Sequence, residues 1–298
     1  MLTTTRPCRA ANPATCRKHG VAGSVQAQLK EAKAELKKKQ DVHELHKLLG
    51  RSVRRGINAS EHSEELVALD KQADEFEARL SKDEENAIGT YRMGAYDYTN
   101  RYLRCGREGV ADYIRHDYRR EPTEEQIDQY VQYCQQNIAG LDSAFTKTTL
   151  PEEPRMLYKA FRVSMSDNAK TTPEDLKKYV EEHYPVGKVL TNKAYTSTSV
   201  DSDYMLAFAK KDSHQVIVHE IVSKKGIPLH ESSWRQGGSI QDAEREVLLP
   251  RDLKLRVAAI KEVTYESTYP QGRPLGSSFY ATAPKRKRYL VVQLVAED

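Results

Sequence analysis

Long apolar runs are missing from this sequence. No stretch approaches the roughly 20 residues that cross a bilayer, so no membrane span is expected. The first residues, MLTTTRPCRA, lack the apolar centre of a secretory signal, which argues against export by the general route. An excess of either charge is also missing: 47 Lys and Arg against 43 Asp and Glu leave +4. That balance gives no specific signal for nucleic acid. No Gly-x-Gly-x-x-Gly stretch occurs, and neither does a phosphate-loop Gly-x-x-x-x-Gly-Lys or a His-Glu-x-x-His. A Rossmann dinucleotide site, a P-loop and a zinc-protease helix therefore have no support. Cys8, Cys16 and His19 offer only three of the four ligands a structural zinc takes, so they read as incidental and no metal is expected. Internal repeats are absent. What remains, 38% hydrophobic and 30% charged residues in 298, describes a globular chain with a charged surface.

Residues 1–24 carry Pro, Gly, Ser and Thr without periodicity and read as a flexible leader. From 25 to 80 helix formers dominate, with apolar stripes over 25–49 and again over 61–80, where Leu66, Leu69, Ala73, Phe76 and Leu80 share one side. This reads as a helical N-terminal arm, a candidate for contact with a delivery or partner protein. The rest, 81–298, reads as one catalytic domain. Ser81 and Glu84 form a capping-box signature, and Thr123 with Gln126 forms another. Between them lies AIGTYRMGAYDYTNRYLR, with Tyr91, Tyr96 and Asn100 in sequence. On a straight helix these three cannot share a face; Gly89 and Gly94 suggest a break that would bring them together.

After Pro151 the pattern changes to strands. MLYKAFRV puts Arg162 at the same parity as Met156, Tyr158 and Ala160, where a cation on an apolar face calls for an anion. Thr172-Pro173 opens a helix. A strand with Ser197-Thr198-Ser199 follows, then QVIVHEIV, LKLRVAAI and the closing YLVVQLV, with KRKR at 285–288 read as a solvated hairpin tip. The fold class expected is α+β: an N-terminal helical lobe packed on two antiparallel β-sheets.

Trp234–Arg251, WRQGGSIQDAEREVLLPR, sets Glu244 and Glu246 two residues apart at the entry of an apolar strand. A period of 2 sends both carboxylates to one face and Arg245 to the other. An arginine suited to clamping phosphate, small hydroxyls that orient without filling a pocket, and a carboxylate able to support an oxocarbenium-like sugar together suit cleavage of a nucleotide N-glycoside.

From about Asn86 to Val295 the sequence resembles mono-ADP-ribosyltransferases of the arginine–serine–glutamate class. It is most similar to the catalytic domains of iota-type binary toxins and their insecticidal and phage-borne relatives. The resemblance rests on the Tyr-Tyr-Asn helix, AFRV, YTSTS, MLAFAKK and EREVLLPR in that order. It implies NAD as co-substrate, with Arg162 on its diphosphate and Ser197, leading the Thr198-Ser199 strand, on the nicotinamide ribose. It implies Glu246 as the catalytic carboxylate on the ribose 2′-hydroxyl and Glu244 as the acid that engages an acceptor guanidinium. Tyr91, Tyr96 and Asn100 would close over the nicotinamide and ribose, with Phe208 and Lys211 in the cofactor loop. The acceptor implied is an exposed arginine of a target protein, and the setting a toxin or phage effector, kept in the producer's cytoplasm or delivered into a host or target cell. Three positions depart from the family pattern: Ala194 replaces an asparagine, Lys211 an arginine, and Gln241 an aromatic. They leave NAD binding as expected and weaken the case for actin as target. The alternatives are an NAD glycohydrolase, a transferase to a non-protein acceptor, or an NAD-binding structural module without activity.

Overall fold

The computed structural model describes residues 53–55, 64–148, 155–163, 172–202, 216–229, 246–267 and 285–297, all within the unit Val53–Asp298. The leader and the first part of the arm lie outside these residues, as do Glu244, Phe208 and Lys211.

The helical lobe contains α1 (Glu64–Glu77), α2 (Lys82–Thr90), α3 (Tyr96–Tyr118) and α4 (Glu124–Phe145). Local chemistry sets where the helices start. Ser81 accepts from the Glu84 amide while Glu84 accepts from the Ser81 amide, and Thr123 and Gln126 repeat the exchange at α4. Glu84 is buried against Ser143 of α4 and Lys147 beyond it, so the α2 cap doubles as an anchor between helices. Despite the burial, these hydrogen bonds hold its carboxyl down to about 2. Phe76, Ile88, Tyr91, Leu141 and Ala144 form one apolar core with Ile227, Leu229 and Leu248 of the sheet. At the far end of α3 and α4, Val110, Ile114, Ile127 and the free thiol of Cys134 form a second core, edged by Tyr98, Tyr113 and Tyr130.

Between α2 and α3 the helix widens into a single π-turn, Tyr91–Ala95, in which Gly94 takes φ 127° and ψ −15°. Only glycine visits that region at little cost, so the break suggested by the sequence is realised here and re-aims everything that follows.

The strands are β1 (Val53–Arg55), β2 (Arg155–Arg162), β3 (Val189–Asn192), β4 (Thr196–Ser199), β5 (Val216–Ser223), β6 (Ile227–Leu229), β7 (Glu246–Leu249), β8 (Leu253–Ser267) and β9 (Lys285–Ala296). They join in one hydrogen-bonded path, β1-β8-β9-β5-β2-β4-β7-β6, with β3 on β8. The α+β class holds. Among the described residues, the two sheets expected from the sequence are connected through this path, and two of its pairings, β1 with β8 and β5 with β9, are parallel. Residues 285–288, read as a hairpin tip, instead pair with Ser267–Thr264 of β8, where Arg288 meets Glu262 at 3.4 Å. α5 (Pro173–His183) starts at a Thr172 cap with Pro173 in the first turn and buries Leu176 and Val180. Those side chains join Leu157, Ile217, Val247, Leu249 and Leu294 in the principal core of the sheet.

Candidate functional site

The site begins with strand register. β4 and β7 pair along their whole length: Ser197 with Leu248, Thr198 with Val247, Ser199 with Glu246. Cross-strand partners share a face and neighbours alternate, so Ser197 and Ser199 stand on the side of Glu246 and Leu248. Leu248 packs with Tyr91 and Tyr195, so this side faces the helical lobe. Thr198 points the other way and donates its hydroxyl to the Val247 carbonyl at 2.5 Å, locking the two strands together. The Ser199 hydroxyl accepts from the Asp201 amide at 2.9 Å and shapes the strand exit. Ser197 is exposed, while Glu246 is 6% exposed.

β2 meets β4 at one register pair, Tyr158 with Ser199, although it pairs with β5 over all eight of its residues. In an unbroken antiparallel ladder Ser197 would stand opposite Ala160. Instead its carbonyl accepts from the Lys159 ammonium at 3.1 Å, and the backbone ladder between the two strands stops at the Tyr158–Ser199 pair. Arg162 lies at the end of β2, its backbone opposite Val216 and its sequence parity that of Tyr158. Its side chain is outside the described residues.

The π-turn supplies the other wall. Asn100 donates Nδ2 to the Tyr91 hydroxyl at 2.8 Å across nine residues of chain. The Tyr96 ring meets Tyr91 edge-on with centroids 6.3 Å apart, and Tyr91 meets Tyr195 in the same way at 5.7 Å. The three residues therefore converge, as the glycine pattern implied. Burial, and to a lesser degree the Glu246 charge, push the Tyr91 phenol up, so it stays a neutral hydroxyl. Asn100 Oδ1 is buried and without a hydrogen-bond partner. An orphaned acceptor next to the Tyr91 hydroxyl, which feels the charge of Glu246, suits the hydroxyl of a sugar.

Three cations join this group without having been singled out from sequence. Arg92 Nε lies 3.3 Å from Glu246 Oε2, both side chains largely shielded. Arg104, one turn beyond Asn100 on α3, acts electrostatically on Tyr91 and on Lys159. The Lys159 ammonium is pushed down to about 8 by burial and by Arg104, with Glu246 opposing. On a regular helix Arg92 would diverge from Tyr91, and Lys159 has the opposite strand parity from Arg162. Only the spacing of Arg104 from Asn100 offered a signal. A polyanionic ligand fits a cleft with this much positive charge around one carboxylate.

A further strut holds the floor to the lobe. Asp142 of α4 accepts from the Tyr195 hydroxyl at 2.5 Å and from Arg251 Nε and Nη2 at 3.0 and 2.8 Å. One carboxylate thus fixes the entry of β4 and the exit of β7, the two strands that carry Ser197 and Glu246. Among the described residues no three His, Cys, Asp or Glu side chains gather as metal ligands would, and no helix is long and apolar enough to cross a membrane.

Comparison with known proteins now bears on this cleft. Solved structures that resemble the chain include the ADP-ribosylating toxin BECa of a Clostridium perfringens binary enterotoxin, crystallised with NADH, at 21% identity and TM-score 0.49, covering 81% of this chain and 48% of that one. The enzymatic component C2-I of the Clostridium botulinum C2 toxin gives 16% and 0.47, covering 78% and 46%. The Paenibacillus larvae toxin Plx2a gives 19% and 0.47, covering 79% and 96%. The chain thus spans about half the length of the two binary-toxin enzymes. No curated protein sequence gave a significant match. The sequence profile of the ADP-ribosyltransferase exoenzyme family, however, matches residues 69–293, from α1 to β9 and through every wall of the cleft. With three-quarters of its length in that match, the chain belongs to the ADP-ribosyltransferase exoenzymes, which use NAD as co-substrate.

Proposed function

We propose that this protein moves ADP-ribose from NAD to an arginine side chain of a target protein and releases nicotinamide. The observation that carries the reading is the register of β4 against β7, which sets Glu246 and Ser197 on the face closed by Tyr91 and Asn100. Glu246 accepts the hydroxyl of the nicotinamide ribose and opposes the positive charge that develops on the sugar as the glycosidic bond breaks. The bonding pair leaves with nicotinamide. Ser197, free of burial, orients the ribose and the carboxylate, and the orphaned Asn100 Oδ1 accepts a second sugar hydroxyl. Arg162 holds the diphosphate, Phe208 and Lys211 contribute to binding the cofactor, and Tyr96 covers the nicotinamide. An arginine acceptor is supported by the second acid, Glu244, two residues before Glu246. A guanidinium nitrogen supplies the pair for the new bond and sheds one proton. For that, it must be held and turned by a carboxylate, whereas water needs no such grip. We further propose action as a toxin or phage effector inside a target cell, with residues 1–80 serving delivery or a partner.

The test is a comparison of two activities in Glu244→Gln. Transfer of labelled ADP-ribose to lysate proteins should be abolished while nicotinamide release into buffer persists at a substantial fraction of wild type. Equal loss of both would assign Glu244 to the NAD site and remove the arginine acceptor.

A further inference from the structure

We propose that Lys159 is a positioning residue for Ser197, its ammonium closing the gap between β2 and β4 so that the serine is held at the ribose. The inference rests on the function proposed above.

The ladder between β2 and β4 is incomplete. Ser199 pairs with Tyr158, but two residues back, where Ser197 would face Ala160, no backbone pairing is made. An antiparallel strand directs the carbonyls of alternate residues to the same neighbour, so the Ser197 carbonyl looks towards β2 across the unpaired part of the ladder. A strand carbonyl left bare there would free the segment to shift, and misplacement of a reacting group by about 1 Å is costly to catalysis. Lys159 supplies the partner at 3.1 Å. It does so from β2, the strand that also carries Arg162. One side chain therefore ties the phosphate-binding strand to the serine strand while leaving the space between them open. The neighbouring register supports a role at this gap. Lys159 stands opposite His219 of β5, and Arg104 of α3 and Glu246 of β7 are its other charged neighbours. His219 is pushed down to about 3 by burial and by Lys159, so it carries no charge at neutral pH.

A charged donor makes a hydrogen bond about twice as strong as a neutral one. Burial and the Arg104 charge bring the ammonium down to about 8. The grip on Ser197 is therefore complete below that pH and weakens as pH rises through it. Arginine stays protonated throughout and can reach the same carbonyl.

The experiment measures nicotinamide release from NAD between pH 6 and 10 for wild type, Lys159→Met, Lys159→Arg and Glu246→Gln, with melting temperatures recorded for each. Wild type should lose several-fold in kcat above pH 8. Lys159→Met should fall about 10-fold or more in kcat at pH 7, change KM less than about 3-fold, and show no alkaline loss. Lys159→Arg should recover most of the turnover and carry it to pH 10. Wild-type turnover and an unchanged pH profile in Lys159→Met would overturn the proposal. If that variant does not fold, an alkaline loss in Lys159→Arg identical to wild type overturns it equally. Wild type that releases no nicotinamide at any pH sinks the proposed function itself, and this inference with it. Active wild type with indifferent Lys159 variants sinks the inference alone.

Discussion

Gly94→Ala is the sharpest structural test of how the cleft is built. Gly94 sits at φ 127° and ψ −15° inside the π-turn, and a Cβ added there meets nothing within 4 Å. The substitution therefore creates no clash, and its whole effect is the conformational cost of that backbone region, about 1–3 kcal/mol. In a domain of this size about 1 kcal/mol lowers Tm by roughly 2–4 °C, so a fall of roughly 2–12 °C is expected. The chain can escape the strain only by giving up the π-turn, and a regular helix would separate Tyr91 from Asn100 and withdraw Arg92 from Glu246. NAD affinity should therefore fall together with stability. Gly187→Ala is the control: φ 88°, again nothing within 4 Å, and a position after α5 next to β8. It should lose comparable stability and bind NAD as wild type does. Thermal unfolding without ligand and calorimetric titration with NAD read the two effects. Gly94→Ala that melts within about 1 °C of wild type and binds NAD equally would refute the claim that this turn assembles the wall of the site.

Other outcomes follow from the same geometry. Arg162→Lys keeps charge but loses the paired donors of the guanidinium, so calorimetry should show NAD binding weakened about 10-fold with melting unchanged; unaltered affinity would make Arg162 a structural cation. Acid should act through Glu84. Its carboxyl lies at about 2 when folded against an ordinary 4.5, a depressed value whose stabilisation is present above about 4.5 and lost as pH falls towards 2. On the order of 3 kcal/mol is involved, and Glu84→Gln should flatten the pH dependence of melting over that window. Asp142→Asn should lower melting by several degrees and reduce turnover, because it loosens the entry to β4 and the exit of β7 together; turnover unaffected at a lowered Tm would limit Asp142 to stability.

What could be read from the sequence was what depends on near neighbours in the chain. Ser81 with Glu84, Thr123 with Gln126 and Thr172 before Pro173 begin helices where their side chains can reach their own amides. Gly94 marked the break in the tyrosine helix because no other residue takes its conformation cheaply. The strands of Ser197 and Glu246 showed in a run of small hydroxyls and in an apolar run ending at Pro250, and family resemblance supplied their roles. Pairing across long separations did not show. The parallel run of β9 beside β5 has no local signature, and neither has the strand that 285–288 enters by pairing with β8. Arg92, Lys159 and the Asp142–Arg251 strut matter because of partners far away in sequence, 109 residues away in the last case. A lysine three positions before Arg162 has no local signature, because its partner, the Ser197 carbonyl, lies 38 residues away.

In the proposed reaction Glu246 is the group that makes the glycosidic bond of NAD break. The most direct measurement is nicotinamide release under saturating NAD by wild type and by Glu246→Gln, with NAD affinity measured on both. Removal of an electrostatic group that acts in the transition state should lower turnover by about 10²-fold or more while affinity changes little. A Glu246→Gln protein that turns over NAD at close to the wild-type rate would contradict the account.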